Sequence, residues 1–365
     1  MTINFIQDIA TPHNNIVLKE LEKDENINLN VWYCHEKHPQ YNWNIDLTNE
    51  IKEANIYNPN KIDWDFIQYC LKNKEEKYFI VGWMNPSTKF LILLFWILRR
   101  PFNIWFDYPQ DNRSRRYLKQ FFRELYYKVL VFSKANIFCV GKMTVEYFVN
   151  RGFKEEKLTN LPIFVNVQKN KDDYKYKKKD IFLKYNIQNN DLFLSAGSRL
   201  VYDKGYDILI EAISTLDDKI KQNIKCVIVG QGEEKNKLEH LIEEYKLTQN
   251  IYIEEWMEIE DFNALISCSD MFVHPARFDA YGATIFAMSL GIPAIGSVQA
   301  GAAYDRIEDM KNGILYDGSK EKLSVQIAYI FANKGLLDNM SVNALSTARE
   351  WDPIKALEII RSNIK

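Results

Sequence analysis

Residues 274–301 read His-Pro-Ala-Arg-Phe-Asp-Ala-Tyr-Gly-Ala-Thr-Ile-Phe-Ala-Met-Ser-Leu-Gly-Ile-Pro-Ala-Ile-Gly-Ser-Val-Gln-Ala-Gly, and the fold follows from how this stretch is parsed. An apolar run over 271–273 enters it, and a polar loop carrying Asp279 and Gly282 follows. The small and apolar residues 283–290 predict a buried helix that Gly291 stops, and 293–297 predicts the next short strand. The unit is therefore βαβ-like, with its loop at the carboxyl end of a parallel strand. Open α/β sheets bind their ligands at such ends. Backbone amides after Gly282 would favour an anionic group there.

Length and composition bound the rest. A chain of 365 residues suits two domains of ordinary size, and 47% hydrophobic with 26% charged residues is a globular composition. The net charge of −2 gives no global attraction to nucleic acid. Five scattered cysteines, Cys34, Cys70, Cys139, Cys226 and Cys268, form no C-x-x-C pair, which points to a reducing compartment. The first nine residues lack a basic segment followed by an apolar one, so no secretory signal is expected. The longest apolar run, 90–98, is far below the roughly 20 residues of a spanning helix. A cytoplasmic protein, soluble or peripheral at a membrane, is the expectation.

In the first half, 3–9 predicts a strand, and Thr11-Pro12-His13-Asn14-Asn15 a loop before a helix over 16–21. Residues 29–33 read as a second strand. The Cys34-His35-x-x-His38 group after it holds three soft ligands with no other cluster to complete a tetrahedral site, so metal binding is not expected. The stretch 39–62 has no clear period and reads as a long loop. Strand 79–83, a start signal at Asn85-Pro86, helix 89–98 and strand 102–106 then repeat the α/β alternation. Further strands are expected at 135–140 and 161–165, with a helix at 142–150.

Between them lies a basic stretch, with Arg99, Arg100, Arg113, Arg115, Arg116, Lys119, Arg123 and Lys128 set against Asp107, Asp111 and Glu124. Phe121, Phe122, Tyr126 and Tyr127 are interleaved with it. Residues 113–128 could form an interfacial helix drawn to anionic lipid, or a solvated basic face whose aromatics enter the core. No recognised nucleic-acid module accompanies the patch, and nucleic acid is not the expected partner.

Residues 168–180 are almost wholly polar and predict an exposed linker. This divides the chain into a first domain over 1–167 and a second over 181–348, with a C-terminal helix within 349–365. The second half opens with strand 193–196 and Gly197-Ser198-Arg199-Leu200, continuing to Lys204-Gly205-Tyr206-Asp207. Strand 225–229 leads to Gly230-Gln231-Gly232, which lacks the third glycine of a dinucleotide fingerprint. A helix at 235–245, a strand at 251–253 ending in Glu254-Glu255-Trp256-Met257, and helices over 261–268 and 321–348 complete the reading.

These motifs, in this order, resemble the donor half of retaining GT-B glycosyltransferases, in particular family GT4. Asp279, Tyr281, Gly282, Gly291-Ile292-Pro293 and Ala300-Gly301-Ala302 fall into that family's E-x7-E, Gly-x-Pro and Gly-rich-loop pattern. The second acid is replaced: Phe286 or Ala287 stands where the family has the glutamate that holds the ribose. The resemblance covers 193–348 and is only architectural over 1–166. It implies an α/β GT-B fold, two Rossmann-like domains facing across a cleft, the C-terminal helix often crossing back onto the first. Arg199 and Lys204 would neutralise the leaving diphosphate. Gly197, Gly230, Glu255, Trp256, Asp279, Tyr281, Gly282, Ala283 and Thr284 would contact the donor, Trp256 either lying against the base or packing in the core. His13, Asn14 and Asp107 are acceptor-side candidates, Asp107 otherwise forming a turn before Pro109. Asp107 and Asp279 are the candidate catalytic acids.

The expected reaction is retaining transfer from a nucleotide-diphosphate sugar to a saccharide or lipid-linked saccharide acceptor, in surface polysaccharide or lipopolysaccharide synthesis, with no cofactor and no metal. The rival readings are a sugar-nucleotide epimerase or hydrolase of the same fold, a non-catalytic GT-B subunit, and a nicotinamide dehydrogenase.

Overall fold

The computed structural model describes residues 1–35, 51, 54–82, 85–109, 117–167 and 169–365. The first elements are β1 (Thr2–Gln7), α1 (Pro12–Glu22), β2 (Asn28–Tyr33), β3 (Ala54–Ile56), α2 (Trp64–Lys72), β4 (Lys77–Val81), α3 (Pro86–Ile97), β5 (Phe102–Phe106), α4 (Tyr117–Phe132), β6 (Ala135–Cys139), α5 (Lys142–Val149) and β7 (Leu158–Asn160). After them come α6 (Lys178–Lys184), β8 (Leu192–Gly197), α7 (Tyr206–Ser214), α8 (Asp218–Lys221), β9 (Ile224–Val229), α9 (Lys235–Glu244), β10 (Ile251–Glu254) and α10 (Ile259–Cys268). The chain closes with β11 (Met271–His274), α11 (Thr284–Ser289), β12 (Ala294–Ser297), α12 (Gly301–Arg306), β13 (Gly313–Tyr316), α13 (Lys320–Ala332), α14 (Leu337–Glu350) and α15 (Pro353–Asn363).

Contacts divide the chain into two compact units, Met1–Phe164 with Pro353–Lys365, and Val165–Asp352. Each is built on a parallel sheet, ordered β3-β2-β1-β4-β5-β6-β7 in the first and β10-β9-β8-β11-β12-β13 in the second. Both orders step outward from the unit's first strand and then return to its other side. That reversal leaves a crevice at the carboxyl ends of β1 and β4, and another at β8 and β11.

The central strands are the near-continuous apolar runs that a sheet covered on both faces requires. All five residues of β5 and all six of β9 are buried, and Lys225 within β9 stays inside only because its Nζ donates to Gln249 O at 2.6 Å. In the first unit Phe5 stacks on Phe79 at 4.9 Å, and Trp105 donates its indole N–H to Leu161 O. The C-terminal helix α15 belongs to this unit. It packs on α1, and Asn103 and Asn136 donate to the carbonyls of Lys365 and Asn363.

Several sequence expectations are corrected. Residues 11–15 are not a loop: the Thr11 side chain accepts from Asn14 N, Pro12 starts α1, and His13 and Asn14 lie in its first turn. The loop over 39–62 contains β3, which pairs with β2, while 36–50 and 52–53 lie outside the described residues, as do His38, Asp111, Arg113, Arg115 and Arg116. The last strand is β7, not 161–165. Leu161 N still bonds Cys139 O, but Pro162 has no N–H to continue the ladder.

The stretch 168–180 is not an exposed linker. Asn170 and Asp173 form a reciprocal cap on a 3₁₀ turn over Lys171–Lys177, whose Tyr174 is buried and donates to Glu260 on α10. Lys169 and Lys177 pair with Glu260 and Asp261 on the same helix, tying the segment to the second unit. Residues 321–348 form two helices, α13 and α14, parted by a 3₁₀ turn at Lys334–Leu336.

Candidate functional site

The β8/β11 crevice is assembled by two loops. After β8 the chain makes a 3₁₀ turn over Tyr202–Lys204 and enters α7 through Gly205, whose φ is +67°. A Cβ there would lie 2.2 Å from Pro275 O, so only glycine lets the loop after β11 come this close. Arg277 N and Phe278 N then donate to Asp203 O. Arg277 grips Asp207 with two hydrogen bonds of 2.7 and 2.8 Å and lies over the Tyr202 ring. Burial works against the Asp207 charge, and the Arg277 hydrogen bond and charge outweigh it, holding that carboxyl below its usual range. Arg277 escaped the sequence reading because its partner is 70 positions away.

The clamp sets Lys204 against Asp279. Their side chains form an ion pair at 13% and 10% exposure. His274, the last residue of β11, places Nε2 3.0 Å from the same Asp279 oxygen, Oδ2, and Nδ1 2.9 Å from Thr284 Oγ1. Burial would raise the Asp279 carboxyl, yet the His274 hydrogen bond and the Lys204 charge hold it far below the carboxylate range. Gly282 closes the loop at φ +88°, where a Cβ would sit 2.2 Å from His274 Cε1 and 2.5 Å from Asp279 Oδ2. The loop over 300–302 holds the far side, Gly301 N donating to Asp279 O and Ala302 N to Tyr281 O. A buried acid and ammonium at a switch point make this crevice the candidate site.

The remaining sequence candidates are placed less uniformly. Arg199 is exposed on the β8 loop, on the same segment as Lys204. Gly197 and Gly230 are explained by packing: a Cβ would meet the Phe262 ring at 2.5 Å in one case and Ser198 O at 1.9 Å in the other. The Gly230-Gln231-Gly232 turn seats the β8 loop, with Leu200 N donating to Gln231 O.

Glu255 is exposed and paired with Lys235 at 2.8 Å. Trp256 is 71% exposed, not core, and lines a hollow of about 310 Å³ with Lys184, Tyr185, Glu254 and Asp261. Tyr281 does not face a ligand: it is 1% exposed, its hydroxyl held by Asp305 at 3.1 Å and Arg306 at 2.5 Å. Thr284 is buried with its hydroxyl on His274, Ala283 is partly buried, and α11 is only six residues long, shorter than the sequence implies. Ala287 is wholly buried in a core cluster, so its position has no room for a ribose-binding acid, and Phe286 beside it is partly buried. His274 was missed because it ends an apolar strand. Its place at that strand's carboxyl end is the signal that could have found it.

In the first unit, His13 and Asn14 open α1 just beyond β1, and Asp107 is exposed just past β5. Burial lowers the His13 imidazole below its ordinary value, and Asn14 donates to Gln7 Oε1 at 2.7 Å. Among the described residues, no helix is long and apolar enough to cross a membrane, and no cluster of three or more His, Cys, Asp or Glu side chains could hold a metal ion.

HepE from Anabaena in complex with UDP superimposes with a TM-score of 0.76 at 15% identity, over 99% of both chains, and a complex of the same protein with UDP-glucose gives 0.72. The fold is that of the GT-B glycosyltransferases. Residues 177–347, most of the second unit, match the family model for glycosyl transferases group 1. An uncharacterized glycosyltransferase from Methanocaldococcus jannaschii is 25% identical over 60% of this chain and 56% of its own length. The lipopolysaccharide glucosyltransferase WaaG of Escherichia coli is 27% identical over 48% of each. The chain thus spans about half the length of the curated relatives it matches.

Proposed function

We propose that the protein is a retaining glycosyltransferase that moves a sugar from a nucleotide-diphosphate donor to a saccharide acceptor in cell-surface glycan synthesis. The observation that carries this reading is the buried Lys204–Asp279 pair, on a loop that also carries Arg199, at the switch point of a unit that matches the group 1 glycosyltransferase family model. Breaking the bond from sugar to diphosphate builds negative charge on the leaving group, and Lys204 and Arg199 supply cations for it. Asp279 takes a hydroxyl of the sugar ring. In a front-face transfer the acceptor oxygen attacks the anomeric carbon from the side the diphosphate leaves, and its proton passes to the departing phosphate oxygen.

A uridine base is favoured by the UDP and UDP-glucose complexes of HepE. Trp256 and Glu255, at the rim of the hollow after β10, are the proposed base contacts. His13, Asn14 and Asp107 are proposed for the acceptor side, and activity is expected to survive a chelator.

A non-catalytic role is the second reading, favoured by the absence of an acid at Phe286 and Ala287. Thermal stabilisation by UDP, GDP, CMP, ADP and dTDP, with and without EDTA, separates the two. A ligand at 100 times its Kd adds about 2.7 kcal/mol. One clear shift supports the donor reading, and none with any nucleotide leaves the non-catalytic one.

We also propose peripheral attachment to the cytoplasmic face of a membrane through α4. Phe121, Phe122, Leu125 and Phe132 are exposed along it, while Tyr127 and Leu130 turn into the core, and Arg99 and Lys128 are exposed nearby in the sequence. The chain should float with phosphatidylglycerol vesicles and not with phosphatidylcholine vesicles, and the triple change of Phe121, Phe122 and Phe132 to Ser should abolish flotation. Equal flotation of both proteins would remove this attachment.

A further inference from the structure

The proposed transfer leaves the imidazole at the end of β11 without a part. His274 is 3% exposed, and both of its ring nitrogens are engaged, Nε2 by Asp279 Oδ2 at 3.0 Å and Nδ1 by Thr284 Oγ1 at 2.9 Å. We propose that His274 is a positioning residue for the transfer: it anchors Asp279 through Oδ2, so that Oδ1 meets the donor sugar while Lys204 reaches the diphosphate. This rests on the donor reading above.

The direction of the hydrogen bonds follows from the groups themselves. An ionised carboxylate only accepts, so Nε2 must carry the proton towards Asp279. In the neutral ring Nδ1 then accepts from the Thr284 hydroxyl, and the chain runs Thr284 O–H to Nδ1, Nε2–H to Oδ2. Lys204 binds that same oxygen. Among the described residues, no hydrogen bond of the protein falls on Oδ1. One oxygen of a buried acid is saturated, and the other is left for a ligand.

Two further features fit an anchor. Lys204 has three donors on a flexible stem, so it can swing to a phosphate oxygen, and a carboxylate held by Lys204 alone would be drawn along with it. His274 instead ends a strand whose register is fixed on β12, opposite Gly296. Its ring is held at both nitrogens, is 3% exposed, and packs against Gly282, where a Cβ would lie 2.2 Å from Cε1. A reacting group misplaced by about 1 Å can lose on the order of 10²-fold in rate. The Asp279 carboxylate is in that position when its strand-borne anchor is removed.

The test pairs His274→Ala with His274→Gln, whose amide N–H can replace the Nε2 donor. The expected result is a kcat lowered about 10²-fold in the Ala variant with acceptor KM unchanged, and recovery of most of that loss in the Gln variant. A role in packing alone predicts the reverse: both variants lose thermal stability and kcat per folded molecule stays at the wild-type level, which overturns the proposal. ¹⁵N spectra of the wild-type imidazole give a second readout that needs no substrate. The Nε2–H tautomer is expected, and an Nδ1–H tautomer overturns the anchor. Should the wild type bind no nucleotide while His274 is the Nε2–H tautomer, the donor reading fails and the anchoring of Asp279 stands.

Discussion

The two units share a strand order over six strands, the first adding β7 at its edge, yet their crevices are built from different chemistry. At β1/β4 the acid Asp8 is surrounded by neutral donors. Asn85 Nδ2 reaches Asp8 Oδ1 at 2.8 Å and the Tyr57 hydroxyl at 2.9 Å, and Cys34 Sγ lies 3.3 Å from the same Asp8 oxygen. Burial pushes the Cys34 thiol up to about 12 and raises the Tyr57 hydroxyl as well, so both stay protonated as donors. At β8/β11 the acid Asp279 instead meets an ammonium and an imidazole, both on one oxygen. The first arrangement knits loops, and Asn85 also caps α3. The second keeps charge in a buried place with a carboxylate oxygen still open. A common fold therefore says where a ligand could sit, and the side chains at the strand ends say which crevice has the chemistry.

The strongest way to break this comparison is to remove the cation. Lys204→Ala should lower kcat by about 10² to 10³, the range for losing one fixed donor to a developing anion, with far-ultraviolet circular dichroism unchanged. Arg199→Ala should act in the same direction. Full turnover in both variants would mean that the β8/β11 charges are structural and that the two crevices differ only in composition.

How much of this was legible in the sequence depends on the range of the interaction. The βαβ parse of 271–297, Gly282 and the Lys204-to-Asp207 element are local patterns, and the structure places each at the crevice. What escaped was set by partners distant in the chain. Polar composition over 168–180 suggested a linker, but buried Tyr174 and the pairs with Glu260 and Asp261 fold it onto α10. Tyr281 had the spacing of a ligand contact, yet Asp305 and Arg306 take its hydroxyl inward. His274 was passed over because hydropathy cannot show which buried side chain meets a charge. The missing second acid was visible in the sequence. That Ala287 is sealed in the core was not.

Acidification sharpens the comparison next. The folded Asp279 carboxyl lies below its ordinary value of about 3.9, as does that of Asp207. A depressed folded value means that the stabilisation is fully present above the unfolded value and is lost as pH falls through the folded one. The melting temperature should therefore fall as pH drops below about 4. Asp279→Asn, less stable than the wild type at pH 7, should lose less on acidification. Parallel curves for the two proteins would show that Asp279 does not carry the charge assigned to it.

The smallest effect should come from the first crevice. In Asn85→Ala the α3 helix loses the side-chain acceptor for Thr88 N, and Asp8 and Tyr57 lose the amide between them. Loss of an N-cap costs about 1 kcal/mol, and the two stranded side chains add to it, so chemical denaturation should show a lower midpoint. Nucleotide binding should be untouched, because no part of this knot belongs to the second unit. The variant should melt earlier and yet gain the same increment from a saturating nucleotide as the wild type. A reduced increment would mean that the β1/β4 crevice also contributes to donor binding, and the division of labour drawn between the two crevices would have to be redrawn.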